Sequence, residues 1–280
     1  MNPYDALAQT YENVGKEKEK VKLNNMILKE FILKNIPIHG KIVDVGCGAG
    51  YFINEIYKKG YFNVHGIDTS KNMIEYSKNN NPKISDNINQ EDMSNYFKNK
   101  NTDIALFIAV IHLISPDTVV DIFKNMINNI RGRVVITTRE YSNKETGWKY
   151  VEKGVSGVFR WKMHYTFDIF NNTIKNIFSG LHLSPIIYTI CDNCGDKWLI
   201  CVAQNNNAIS YLNNGYVKLS PSNDFPIDEM KQIYEKAITR NPNESESYLC
   251  FGHPNDIVRV ERFIPDTIEL SEWINNFDFR

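Results

Sequence analysis

Eight residues, Val43-Asp44-Val45-Gly46-Cys47-Gly48-Ala49-Gly50, constrain the fold of this chain more than any others. Residues 41–45 read as a buried strand that runs straight into a glycine-rich turn, and a helical pattern follows over 51–59. Three glycines at alternate positions let the backbone turn sharply and approach a ligand with no side chain in between. The next acidic residue placed to end a strand is Asp68, in Val64-His65-Gly66-Ile67-Asp68, 22 residues after Gly46. At that spacing a carboxylate reaches the ribose hydroxyls of a nucleotide-like ligand.

The chain continues as it begins. An amphipathic helix over 16–35, ended by Pro37 and Gly40, precedes the first strand. Strand 63–68 is followed by Thr69-Ser70, which can cap a helix over 71–79. A short strand is expected at 84–88 and a nearly all-apolar one at 103–109, as a central parallel strand requires. Ser115-Pro116-Asp117 opens a helix to Asn129, and 133–138 reads as the fifth strand. Residues 161–166 are aromatic and mixed. A helix follows over 168–179, then an antiparallel pair, 185–190 and 197–203, around the turn 191–196. Alternating strands and helices predict an α/β, doubly wound, mostly parallel sheet of seven strands.

Bulk properties set limits. At 280 residues the chain holds one large domain and a small one, or two modest ones. No stretch approaches the roughly 18 apolar residues of a membrane span, and no basic-then-apolar leader opens the sequence, so a cytoplasmic location is expected. The five cysteines suit a reducing compartment. Cys191 and Cys194 form a single C-x-x-C that lacks the second pair of a zinc knuckle and reads best as a turn. The net charge of −1 gives no overall attraction to nucleic acid. That charge is unevenly spread, about +4 over residues 1–205 and −5 over 206–280.

The loop spacing G-x-G-x-G, Asp44 two residues before it, Asp68 after it and Gln90-Glu91-Asp92-Met93 before the fourth strand form an ordered set. In sequence and order the set resembles the class I S-adenosylmethionine-dependent methyltransferases of small-molecule type, over roughly residues 4–204. The resemblance implies a Rossmann-like methyltransferase fold over 1–204, in which 1–40 supply an N-terminal lid and helices. It implies S-adenosyl-L-methionine as cofactor, S-adenosyl-L-homocysteine as product, and no metal. It places Gly46, Cys47, Gly48 and Gly50 against the methionine tail and ribose, and Asp44 toward the amino end of the methionine moiety. Asp68 with Thr69 faces the ribose, Asp92 with Met93 the adenine, and Ala109 the sulfonium region. Tyr4-Asp5-x-x-Ala8-x-x-Tyr11 resembles the lid of such enzymes, with Tyr4 and Tyr11 closing over the cofactor.

The acceptor side is less constrained. His112, after the fourth strand, can deprotonate a hydroxyl or amine, orient it, or serve only as a structural histidine. Arg139, Glu140 and Tyr141 follow the fifth strand: Glu140 is a second candidate base, and Arg139 can pair with a carboxylate or phosphate. Trp161, His164 and Tyr165 precede the helix that covers the substrate in this family and are candidates to line a pocket. The chain lacks the Asn/Asp-Pro-Pro-aromatic motif of base-amino methylation, the paired-glutamate loop of arginine methylation, and the acidic magnesium set of catechol-type enzymes. A small-molecule methyl acceptor is therefore expected, with methylation at O or N and also C admitted. RNA or protein methylation, a non-catalytic cofactor-binding regulator and a nicotinamide-dependent dehydrogenase are the competing readings.

Residues 205–207 read as a linker to a small α+β extension over 205–280, with helices at 227–238 and 268–275 and a strand at 257–263. The extension is expected to serve as a homodimer contact, a lid or a recognition element. Parts of it, 214–219 and 259–263, resemble the opening of phytanoyl-CoA dioxygenase-like proteins. The iron ligands of that family do not follow, because His253-Pro254-Asn255-Asp256 has a different spacing and no later histidine exists.

Overall fold

The run Ile42–Val45 forms β1, buried at every position. Buried strands of this kind read as continuous apolar runs because helices cover both sheet faces. In this computed structural model the described residues are 4–10, 18–33, 40–142, 144–152, 159–191 and 195–205, with short strands at 216–217, 249–250 and 258–260. The chain divides into two units, Met1–Asn205 and Asn206–Arg280.

In the first unit, α1 (Lys18–Ile27) continues into a wider π-type turn over Leu28–Ile32. Then come β1, α2 (Tyr51–Lys58), β2 (Val64–Asp68), α3 (Lys71–Asn80), β3 (Ile88–Gln90), α4 (Met93–Asn99), β4 (Thr102–Ile108), α5 (Val119–Ile127) and β5 (Ile130–Arg139). A hairpin of β6 (Gly147–Glu152) and β7 (Phe159–His164) is inserted before α6 (Phe167–Phe178), β8 (Ser184–Cys191) and β9 (Lys197–Gln204). The seven-stranded sheet runs β3-β2-β1-β4-β5-β9-β8. Its first five strands are parallel, and β9 lies antiparallel between β5 and β8. The strand order reverses between β1 and β4, so the crevice at their carboxyl ends is where an open α/β sheet takes a ligand.

Strand parity divides the core. Val43, Val45, Ala105, Phe107, Val134 and Ile136 pack with Phe97, Phe123 and Phe170 on one face. Ile42, Ile104, Leu106 and Val135 pack on the other with Ile53, Ile56, Ile74 and the α1 residues Leu23 and Ile27. Arg133 fastens the N-terminal helix to the sheet. Its guanidinium donates to the Phe31 carbonyl at 3.1 Å and to Gln204 Oε1 at 2.6 Å, satisfying an acceptor that a helix end leaves open.

Two elements differ from expectation. The strand expected at 84–88 is a 3-10 turn, Pro82–Asn87, and β3 begins only at Ile88. Pro82 presets the turn backbone, and the two apolar residues, Ile84 and Ile88, are four apart, a helical spacing. Of residues 161–166, read only as aromatic and mixed, 161–164 belong to a strand, Phe159–His164, that pairs with 147–152 as a separate two-stranded sheet. In the second unit the described strands β10 (Tyr216–Val217), β11 (Leu249–Cys250) and β12 (Val258–Val260) form an antiparallel sheet in the order β10-β12-β11. The helices expected at 227–238 and 268–275, the linker at 206–207, the 253–256 sequence and Cys194 lie outside the described residues. Among the described residues no helix is long and apolar enough to cross a membrane.

Candidate active site

The turn after β1 takes its shape from three left-handed residues, Gly46 at φ 68°, Gly48 at 51° and Gly50 at 77°. Residues with a Cβ pay about 1–2 kcal/mol in that region, which accounts for the alternate glycines. Their surroundings differ. A Cβ on Gly50 would lie 2.0 Å from Ser77 Oγ, so this glycine lets α2 pack against α3. A Cβ on Gly46 would lie 2.7 Å from a Val110 methyl, whereas one on Gly48 would meet nothing within 4 Å. Gly48 is thus the glycine that keeps open space beside the backbone. The Gly46 and Cys47 amides both donate to the Ile67 carbonyl, at 2.8 and 3.0 Å, which ties the turn to β2. Cys47 is buried against Gly66, and burial pushes its thiol far above its usual range, so it is a packing group here.

Asp68 terminates β2 beside this turn. Its carboxylate accepts from the Gly48 amide at 3.0 Å and from the Ser70 amide at 2.8 Å. Burial still raises its pKa against those bonds. Asp44 lies deeper, 4% exposed, and is pushed up to about 8 by burial first and by the Asp68 charge second. Among the described residues no lysine or arginine pairs with Asp44. A buried carboxyl facing the cavity without a cation fits the ammonium of an amino-acid tail.

This burial has a testable consequence. In the unfolded chain an aspartate ionises near 3.9. Between that value and about 8 the folded cofactor-free protein holds a proton that the unfolded chain releases, so this group's contribution to stability falls as pH rises. Urea midpoints of wild type should therefore decline relative to Asp44→Asn as pH is raised from 5 to 8. Parallel profiles would mean that Asp44 is already ionised in the fold.

The remaining residues expected at the cofactor fall around the same crevice. Thr69, Asp92, Met93 and Ala109 line it with Asp44, Asp68 and the glycine turn. Asp92 also caps α4, accepting from the Ser94 amide at 2.9 Å. Ala109, at the end of β4, has a left-handed φ of 56°, and its amide donates to both the carbonyl and the hydroxyl of Thr137 at 3.1 Å. Tyr4 lines the crevice too, with the Arg160 guanidinium 5.5 Å from its ring centre. Its segment is held by Asp5, which accepts from Ser70 Oγ at 2.6 Å, and by Leu7 and Ala8 against Met73. Tyr11 lies outside the described residues.

The crevice has a volume of about 900 Å³ and extends from the β1–β2–β3 side toward β5, β7 and β9. On that second side it is lined by His112, Thr137, Arg139, Arg160, Lys162 and Trp198, among others. His112 is 7% exposed, and its Nδ1 lies 3.4 Å from Thr138 Oγ1. Arg139 pairs with Asp196 and lies over the ring of Tyr141. Lys162 donates to the Tyr141 hydroxyl at 2.6 Å.

Five residues expected on the acceptor side, Glu140, Tyr141, Trp161, His164 and Tyr165, are not among those that line the crevice. Glu140 is in a β-bridge with Tyr165, and its amide is taken by the Lys197 carbonyl at 2.7 Å. Tyr165 is buried in the core against Phe170. His164 stacks on Tyr141 at 3.8 Å. Trp161 is 52% exposed and stacks on Trp148 of β6. Side chains alternate along a strand, so β7 presents Arg160 and Lys162 to the cavity and Trp161 to the opposite face. The signal that finds them is the alternation of basic and apolar residues in Phe159-Arg160-Trp161-Lys162-Met163. Trp198 and Asp196 reach the site only through the pairing of β9 with β5, which sets Trp198 beside Arg139. No group of three His, Cys, Asp or Glu side chains among the described residues could hold a metal ion.

Comparison with known proteins agrees with this fold. Residues 42–132 match the family model described as a methyltransferase domain. A structure titled as an S-adenosylmethionine-dependent methyltransferase from Clostridium acetobutylicum ATCC 824 shares the fold at 15% identity and a TM-score of 0.53, over 72% of this chain and 99% of that one. DhpI, solved as a complex with SAH, is similar at 15% identity and a TM-score of 0.53, over 71% and 92%. A chain of the Pnkp1/Rnl/Hen1 RNA repair complex aligns at 16% identity and a TM-score of 0.48, over 67% of this chain but only 42% of its own length. No curated protein matches the sequence. Fold and site together define a Rossmann-like α/β unit with a crevice at the carboxyl ends of β1 and β4. The first unit shares its fold with structures of S-adenosylmethionine-dependent methyltransferases, and residues 42–132 within it match a methyltransferase domain.

Proposed function

We propose that the first unit methylates oxygen or nitrogen, with carbon also admitted, on a small metabolite. The observation that carries this reading is the crevice itself, whose acceptor side is walled by side chains of β5, β7 and β9 next to buried His112. Bound S-adenosylmethionine supplies a methyl group already activated on a sulfonium. The protein's share of the work is then alignment and exclusion of water. Asp44 and Asp68 hold the tail and ribose ends, the Gly48 backbone leaves room for close approach, and Tyr4 covers the crevice from the N-terminal segment. His112 takes the proton of a hydroxyl or amine acceptor at one ring nitrogen, while Thr138 orients the other.

The full chain should bind S-adenosylmethionine and S-adenosylhomocysteine but not NAD in a calorimetric titration. It should also transfer labelled methyl to members of a metabolite panel. Transfer to RNA with none to the panel would overturn the acceptor class, and absence of binding by either sulfur compound would overturn the role given to the crevice.

A further inference from the structure

The β5–β7–β9 wall of the crevice holds more positive charge than the fold needs. Arg139, Arg160 and Lys162 all line it, and the one acid lining that wall, Asp196, is already paired with Arg139. The other acids at the crevice, Asp44, Asp68, Glu91 and Asp92, come from the β1–β2–β3 side. Arg160 is the most telling group. Its Nε and Nη1 are buried and have no hydrogen-bond partner among the described residues, although its guanidinium lies over Tyr4. Buried donors left unmade are costly, and native proteins that keep them commonly do so for a ligand or ion. Lys162 is half-buried and donates to Tyr141, which accounts for one of its three ammonium protons.

We propose that this wall is an oxyanion subsite: the acceptor carries a carboxylate or a phosphate-type group, which Arg160 and Lys162 bind while its nucleophilic atom lies toward His112. This deepens the reading of the crevice as a small-metabolite methyltransferase site and rests on it. The unpartnered Nε and Nη1 lie on different edges of the guanidinium, so each offers a charge-assisted N–H to an anionic oxygen, and the lysine adds a point charge. Burial and the charges of Arg160 and Arg139 together depress Lys162 to about 8, a cost that an anion between these cations would relieve. The same wall disfavours a cationic acceptor.

The test uses the full chain saturated with S-adenosylhomocysteine, at constant ionic strength. Inorganic phosphate, acetate and neutral acetamide are titrated in turn into wild type, Arg160→Met and Lys162→Met, with ligand-observed NMR as the readout. Phosphate or acetate should bind wild type at least tenfold more tightly than either variant, and acetamide should not bind. Phosphate alone would assign a phosphate-type group, and acetate alone a carboxylate. Equal affinity across the three proteins, or no anion binding to cofactor-loaded wild type, would overturn the subsite. Loss of S-adenosylhomocysteine binding in wild type would instead overturn the methyltransferase reading on which the subsite rests.

Discussion

Asp68→Ala should weaken S-adenosylhomocysteine binding by about 5- to 150-fold, equivalent to about 1–3 kcal/mol for leaving buried polar groups unpaired. The carboxylate has two tasks that the substitution removes together. It holds the Gly48 and Ser70 amides, at 3.0 and 2.8 Å, and under the proposed function it accepts from the ribose hydroxyls. Asp68→Asn keeps one acceptor oxygen and the side-chain volume, so it should retain more affinity than the alanine variant. Calorimetric titration of both variants, with far-ultraviolet circular dichroism to confirm folding, separates the outcomes. Wild-type affinity in a folded Asp68→Ala protein would remove this residue from the cofactor site.

Turnover, not binding, is the expected casualty of His112→Ala. If the imidazole takes the acceptor proton, methyl transfer should fall by about 10²- to 10⁴-fold, the usual contribution of a positioned base. The S-adenosylhomocysteine affinity should stay near wild type, because Asp44 and Asp68, the acids proposed to hold the tail and ribose, are on β1 and β2. His112 is buried beside Thr138, so Thr138→Val serves as a companion that leaves the ring in place but removes its orienting hydroxyl. A smaller loss in that variant is expected. Unchanged turnover in a folded His112→Ala protein would leave the histidine with packing alone.

The glycine turn and its flanking acids were legible in the sequence because their requirements are local. Left-handed glycines, a carboxylate at a strand end and an N-cap aspartate each leave a mark within a few residues, as Gly46 to Gly50, Asp68 and Asp92 do. The central strands were legible because double-sided burial writes an uninterrupted apolar run, seen in Ile42–Val45 and Thr102–Ile108. The acceptor half was not, for two reasons. Aromatic residues on β7 drew the reading toward Trp161, but parity gives the cavity to the cations on either side of it. Asp196 and Trp198 arrive through antiparallel pairing with β5, a long-range register that no local pattern encodes. Glu140 shows the same limit, since its backbone is spent on bridging Tyr165 and Lys197.

The β6–β7 hairpin forms a sheet of its own, outside the seven-stranded ladder. Its sequence is therefore free of the pairing constraints that fix the strands bearing Asp44 and Asp68. Under the proposed function, exchanging this arm for another would change the acceptor wall without rebuilding the glycine turn and the strands that bear Asp44 and Asp68. Chemical diversification can proceed there as replacement of a single cassette.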